Sequence, residues 1–404
     1  MKKILLESEE IGPTVIEFSN ILKSLERMYS CQYRILKASK VKNRDICWCD
    51  VIISVRSLSS IDYGIARFAK KRGKYHVLLL DDDFLGIASD YGVSGSGMWV
   101  KRKEALRKML DVTDMICSSN HSLGEKYTHI GKVSSYCITN TIVSPESIVS
   151  PNKNWDSNRK IKIMYYVNDG TTKMFNEYIM PIMQQLCERY KKKISLTLMA
   201  LKPDLSAYEK DMDIRYIEHM YFKEFREFVA DQHFDIGIAP LDGIGFSRYK
   251  YFNKFIEHSI GGMAGIYSKC EPYTFIIKDK VNGILCENTP EAWLEAFELL
   301  INNAEVRQNC IINAQNQIRK DFTAEKIVKD LVNDIPELIK YSAPKSKFYY
   351  DMFWIKLNYI LFCMGEYWYF AVWHLEKDGL IKLIMRVFGY TRKIIRNKLM
   401  EDRI

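Results

Sequence analysis

The sequence predicts an α/β protein built from two Rossmann-like domains in tandem, facing a cleft, with a helical tail rich in aromatic and basic residues. Three observations carry this. The chain has 404 residues, against the roughly 100 to 200 usual for one domain. Short apolar runs alternate with helical stretches in two successive series, the pattern of parallel sheets with crossover helices. Between the series lies a polar, turn-forming segment, Ser144 to Arg159, with Pro145, Pro151, three Asn and four Ser. The expected division is therefore residues 1–150, residues 160–335 and a tail over 336–404.

Lys3 to Leu6 opens the first series as a strand. Thr14 to Leu25 follows as a helix, because Val15, Phe18, Ile21, Leu22 and Leu25 recur at helical spacing. Further strands are expected at Tyr33–Leu36, Val51–Val55, Val77–Leu80, Met115–Ser118 and Tyr136–Ile138. In the second series they are expected at Lys162–Val167, Ser195–Met199, Ile214–Ile217, Asp235–Ala239, Gly265–Tyr267 and Gly283–Cys286. Two such units place ligands outside the carboxyl ends of their strands.

Composition excludes several classes. The chain is 47% hydrophobic and 27% charged, an ordinary globular balance. Only three apolar residues separate Lys3 from Glu7, far short of a signal-peptide core, so a cytoplasmic location is expected. The ten cysteines are scattered, with no paired CxxC motifs, and read as buried thiols rather than structural zinc ligands. None of the seven histidines forms an HExxH, and His121 and His258 read as structural. No glycine fingerprint follows the first strand, which disfavours a dinucleotide dehydrogenase.

The most informative stretch is Asp235 to Cys286. A buried strand ends at Pro240, a loop with Gly243 and Gly245 leads to Arg248, and a helix is expected from about Lys250 to Ile260. At 100° per residue Lys250, Lys254 and Glu257 fall within about 60° of one another, opposite Phe252, Phe255 and Ile256. Such a face suits a nucleotide diphosphate: cations neutralise the leaving group, and a carboxylate accepts from ribose hydroxyls. Arg248, beside the helix N-terminus, adds a third cation where anions are favoured. Spacing alone leaves open a solvated face carrying a Lys254–Glu257 pair.

The stretch resembles the C-terminal domain of the large group-1 (family four) retaining glycosyltransferases of the GT-B fold, particularly bacterial polysaccharide enzymes. The matching residues, in order, are Asp235, Ile236, Ile238, Ala239, Pro240 and Leu241; then Phe246, Arg248, Lys250, Lys254, Phe255 and Glu257; then Gly262, Ile266, Ser268, Pro272, Tyr273, Asn282, Gly283 and Leu285. The resemblance implies that Glu257 binds the ribose, while Arg248 and Lys254, with Lys250, hold the phosphates of a nucleotide-sugar donor. Tyr249 stands where many relatives have an earlier Glu, Ala264 replaces the usual Pro, and Ser247 the usual Asn. A loop with the sequence VNDGTTK, Val167 to Lys173, offers the Gly170 amide and the Lys173 ammonium to a phosphate at a strand-to-helix turn.

Asp81, Asp82 and Asp83 follow the apolar run Val77 to Leu80 and are expected at the carboxyl end of a central strand. Three readings compete: a divalent-metal site, a general base or acceptor-binding carboxylate, and a charge cluster without chemistry. The resemblance disfavours metal, since this fold neutralises its leaving group with protein cations, so no metal or other cofactor is expected. Asp82 and Asp83, with Arg248, are the expected catalytic residues, and Asp81 and Asp82 the acceptor side. Gly86 to Met98, with four glycines and three serines, is expected to be a mobile loop.

Net charge is +9, and residues 345–404 contribute eleven Lys or Arg against six Asp or Glu. Phe348 to His374 holds twelve aromatic residues, but Lys356 and Glu366 leave only nine residues between them, too few for a span of roughly 20. Leu380 to Leu399 reads as a basic amphipathic helix. Two uses stay open for residues 348–400: packing on the domains, or lying on an anionic membrane surface at the inner face of the plasma membrane. The resemblance implies transfer of a sugar to a lipid-linked or oligosaccharide acceptor in surface polysaccharide (capsule or O-antigen) assembly, with no nucleic acid partner. The alternatives are a sugar-nucleotide epimerase on the same fold and a non-catalytic binding or scaffold protein.

Overall fold

The computed structural model describes residues 1–87, 97–151, 159–166, 172–200, 202–220, 222–345, 351–369, 371–372 and 375. Gly170, most of the glycine-rich loop after Gly86, and the basic stretch from Leu380 to Leu399 lie outside the described residues.

Two compact units form. The first comprises Met1–Ser118, Gly124–Cys137 and the chain from Asp334 onward; the second comprises Ser119–Leu123 and Ile138–Asn333. The segment expected as a linker is thus, where described, part of the second unit, and Val149 N donates to the Ile260 carbonyl at 2.8 Å. The described residues of the tail pack with the first unit rather than standing apart.

The first unit holds β1 (Lys2–Ser8), β2 (Cys31–Lys37), β3 (Val51–Val55), β4 (Tyr75–Leu80), β5 (Met115–Ser118) and β6 (Tyr136–Ile138). They form one sheet in the order β2-β1-β3-β4-β5-β6. The β1/β2, β1/β3, β3/β4 and β4/β5 pairings are parallel. Every residue of β3 and β5 is buried, as expected of strands covered by helices on both faces. The helix Ser60–Lys71 starts with a capping box in which Ser59 and Asp62 satisfy each other's backbone N–H.

The second unit holds β7 (Ile161–Tyr166), β8 (Ile194–Met199), β9 (Asp213–Ile217), β10 (Ile236–Ala239), β11 (Ala264–Ser268) and β12 (Ile284–Cys286). Their order is β12-β11-β10-β7-β8-β9, with all five pairings parallel. In each sheet the strand order reverses beside the first strand, between β1 and β3 and between β7 and β10. At such a switch point the adjoining crossovers diverge and leave a crevice at the carboxyl ends of the strands.

The helix Asn253–Ile260 packs against β10 by close approach. A Cβ on Gly237 would lie 2.5 Å from the His258 ring, so glycine admits the helix to the sheet. His258 is buried and its Nδ1 lies 3.1 Å from the Tyr267 hydroxyl. Burial, then the Lys254 charge, pull its pKa down to about 3, so it is a neutral core group.

Candidate functional site

At the switch point of the second unit, β7 ends in Tyr166 and β10 ends in Ala239, followed by Pro240. Beyond Pro240 the chain is tied down: Leu241 N donates to Ser268 Oγ at 2.8 Å, and Asn288 Nδ2 donates to the Leu241 carbonyl at 2.8 Å. Gly243 has φ +67°, and a Cβ there would lie 2.5 Å from Cys270, so both conformation and space require glycine. A 3₁₀ turn, Gly245–Tyr249, then presents Arg248.

The long helix expected from Lys250 is shorter. Lys250 has φ −70° and ψ 154°, an extended conformation, and the helix begins only at Asn253. Lys250 therefore does not share a helical face with Lys254 and Glu257; its ammonium lies 5.5 Å from the Phe246 ring instead. The helical spacing that grouped the three residues fails because the 3₁₀ turn ends between Arg248 and the helix.

Lys254 and Glu257 do share a face. Lys254 Nζ donates to Glu257 at 2.7 Å and sits 4.0 Å above the Tyr166 ring. Their side chains are 21% and 16% exposed, partly withdrawn from water, where a charge pair exceeds the strength of a solvated surface pair. A pocket of about 250 Å³ opens beside Glu257, between the helices Phe222–Gln232 and Asn253–Ile260, with Phe225 and Val229 on its apolar side.

Arg248 is not left to water. Its Nε and Nη2 donate to the two carboxylate oxygens of Glu271 at 2.8 and 3.3 Å, and Ser122 Oγ donates to the same carboxylate at 2.6 Å. Burial pushes the Glu271 carboxyl up, but the Arg248 and Ser122 hydrogen bonds outweigh it and leave it below its ordinary value. Glu271 and Tyr166 were missed by sequence reasoning. The available signals were a carboxylate directly before the matched Pro272–Tyr273 and an aromatic residue closing the unit's first strand.

Lys173 lies in a three-residue helix, Thr172–Met174, 71% exposed and 3.6 Å from Glu177. That is an exposed charge pair with no preorganised geometry.

In the first unit Asp81, Asp82 and Asp83 follow β4, but they part company. Asp81 accepts a short bidentate pair from Arg56 and a 2.6 Å bond from Thr14 Oγ1. Asp82 lies 3.5 Å from Arg56 with its side chain 29% exposed. Asp83 is buried, accepting from Lys126 at 2.6 Å and from the Tyr127 hydroxyl at 3.1 Å. Asp83, expected as a catalytic carboxylate, thus has both oxygens bonded inside the unit, where it ties the turn after β4 to Lys126 and Tyr127. Beside this edge, Glu7 near the end of β1 is fully buried. Among the described residues no cluster of three or more His, Cys, Asp or Glu side chains could hold a metal ion.

Neither a known protein family nor a curated protein matches this chain. Solved structures do. Anabaena HepE, solved with UDP and glucose, aligns with a TM-score of 0.58 at 10% identity, covering 83% of this chain and 100% of that one. The lipopolysaccharide outer core galactosyltransferase WaaB aligns with a TM-score of 0.55 at 14% identity, over 83% of this chain and 99% of its own. A putative UDP-N-acetylglucosamine 2-epimerase from Listeria monocytogenes gives 0.52 at 11%, over 87% and 100%. These likenesses span both units and essentially the whole of each compared chain. The chain has the GT-B fold. In the second unit, the switch point has Tyr166, Lys254 and Glu257 around it and Arg248 on the loop after β10, so cations and a carboxylate gather at the carboxyl ends of its strands.

Proposed function

We propose that this protein is a nucleotide-sugar-dependent glycosyltransferase acting on a lipid-linked or oligosaccharide acceptor in surface polysaccharide assembly, with retention at the anomeric carbon. The observation that carries the donor half is the Lys254–Glu257 pair, held partly buried over Tyr166 at the switch point of the second sheet. Glu257 would accept from the ribose hydroxyls. Lys254 and Arg248 would carry the diphosphate, and the leaving group is neutralised without a metal. HepE, which shares the fold, was solved with UDP bound, which supports the choice of donor class. Asp82 is the proposed acceptor-side carboxylate because, of the three aspartates, it has the most exposed side chain and Asp83 is enclosed.

A sugar-nucleotide epimerase is the second reading, favoured by the Listeria structure on the same fold. Thermal stabilisation by UDP-, GDP- and dTDP-sugars identifies the donor, since a ligand that binds only the folded state raises its melting temperature. An assay with and without acceptor then separates the readings. Sugar appearing on the acceptor supports transfer; epimer or free sugar formed without acceptor supports the second. Nucleotide binding with no turnover of either kind would leave a binding protein and overturn both.

A further inference from the structure

The helix over residues 351–369 is apolar on both sides. Its inner side is docked on the first unit. Met352 is buried in the core beside Ile52 and Ile61, and a Cβ on Gly64 would meet Ile355 at 2.7 Å. Arg102 donates to Glu366 at 2.7 Å and to Glu9 at 2.9 Å, and the Tyr359 hydroxyl donates to Glu9 at 2.9 Å. The helix is therefore held in one rotation about its own axis.

That rotation turns an uncharged sector outward. At 100° per residue Trp354, Leu357, Ile360, Leu361, Met364 and Trp368 fall within about 120° of one another. They are between 39% and 70% exposed, with Trp354 at 63% and Trp368 at 70%. From Trp354 to Trp368 the stripe runs about 20 Å at the helical rise. A contiguous apolar stripe rimmed by polar groups marks a binding surface rather than ordinary exterior.

Its rim is cationic on both long sides. On one, Lys356 stands near Lys40 and Lys42: burial, then those two charges, hold its ammonium below the ordinary lysine value. Beside them a groove of about 510 Å³ is lined by Arg34, Lys40, Lys42 and Arg44, with Asp45 the one carboxylate in its lining. On the other side Lys101 lies 5.5 Å from the Tyr369 ring and 5.9 Å from Phe362.

We propose that this helix face lies in the interface of an anionic phospholipid bilayer, the tryptophans and aliphatic side chains entering the acyl boundary while Lys40, Lys42, Arg44 and Lys101 meet lipid phosphates. A helix lying in the membrane plane, apolar on one face and flanked by cations, has the chemistry for this, and each cation near an anionic surface adds attraction. No helix among the described residues is long and apolar enough to cross a membrane. A second copy of the chain fits less well: a twofold contact through this stripe would set lysine rims against lysine rims. Residues 376–404 add eight Lys or Arg against four Asp or Glu, again of the sign that an anionic surface attracts.

The test uses the full chain and vesicles of phosphatidylcholine with or without phosphatidylglycerol. Wild type should sediment with the anionic vesicles and bind neutral ones roughly tenfold more weakly, with added salt reducing the difference. Trp354→Gln with Trp368→Gln should lower binding roughly tenfold, and Lys40→Glu with Lys42→Glu should reduce the preference for anionic lipid several-fold. All four residues are exposed, so thermal melting should match wild type. Unchanged binding by the tryptophan variant would assign the membrane contact elsewhere in the chain and overturn the proposal. So would wild type staying in the supernatant, or sedimenting alone as a dimer that the tryptophan variant dissolves.

Discussion

Arg248 faces Glu271 with its guanidinium edge, Nε at 2.8 Å and Nη2 at 3.3 Å from the two carboxylate oxygens. A diphosphate that bound Arg248 would have to share this cation with Glu271 or draw it away. On the donor role proposed for Arg248, Glu271 would therefore compete with the leaving group. Arg248→Ala should cut transfer on the order of 100-fold in kcat/KM, the usual cost of losing one charge-stabilising donor. Steady-state kinetics on the donor identified by thermal stabilisation would check it, and near wild-type turnover would sink the phosphate role. Glu271→Gln keeps the shape and the Ser122 contact but removes the competing charge, so nucleotide diphosphate should bind several-fold tighter. Weaker binding would mean that Glu271 orients Arg248 instead.

Glu257→Gln should weaken nucleotide binding by about 10-fold, since a hydrogen bond to a charged acceptor contributes roughly 1.5–3 kcal/mol. Isothermal titration would measure it. A matched loss with the 2′-deoxy nucleotide, which has one hydroxyl fewer to donate, would argue against ribose recognition.

Gly237→Ala inserts a methyl group 2.5 Å from the His258 ring, between β10 and the helix that carries Lys254 and Glu257. Overpacking of this kind costs about 1–3 kcal/mol. The expected outcome is a lower melting temperature together with weaker donor binding. A stability loss with donor affinity intact would show that the helix position is not what sets the site.

The buried carboxyls of the first unit predict a pH dependence. Burial, then the neighbouring Asp62, push Glu7 well above its ordinary value. Burial, then the Glu9 charge, raise Asp62 to about 7. A carboxyl whose folded pKa lies above its unfolded one binds protons more tightly when folded, so stability is highest below the unfolded value, about 4, and declines as pH rises towards 7. Urea melts at pH 5 and pH 8 should show the protein less stable at pH 8. Glu7→Gln, which fixes the neutral form, should narrow the gap. A gap unchanged in that variant would place the pH dependence elsewhere.

The strands of both sheets were legible in the sequence because parallel strands buried on both faces read as short apolar runs, as at Val51–Val55 and Ile236–Ala239. Their boundaries moved by only a residue or a few. The helix at Lys250 was not legible in the same way: a wheel assumes a continuous helix, and the 3₁₀ turn Gly245–Tyr249 breaks it. The three aspartates were placed correctly at the end of β4, but nothing local told them apart. Lys126, 43 residues further along, encloses Asp83, and Arg56, 25 residues earlier, engages Asp81.

By itself, then, the sequence determined two tandem parallel α/β units and a charged segment after β10, because hydrophobic period and strand length are local properties of the chain. Tertiary structure decided which charges meet: Arg248 with Glu271, Lys254 over Tyr166, and Asp83 with Lys126. It also decided that the helix over 351–369 docks through Met352 and Glu366 and so turns Trp354 and Trp368 outward. Ion pairs and burial depend on contacts between residues distant in sequence, and a chain apolar on both sides of a helix does not say which side faces in until a partner surface chooses.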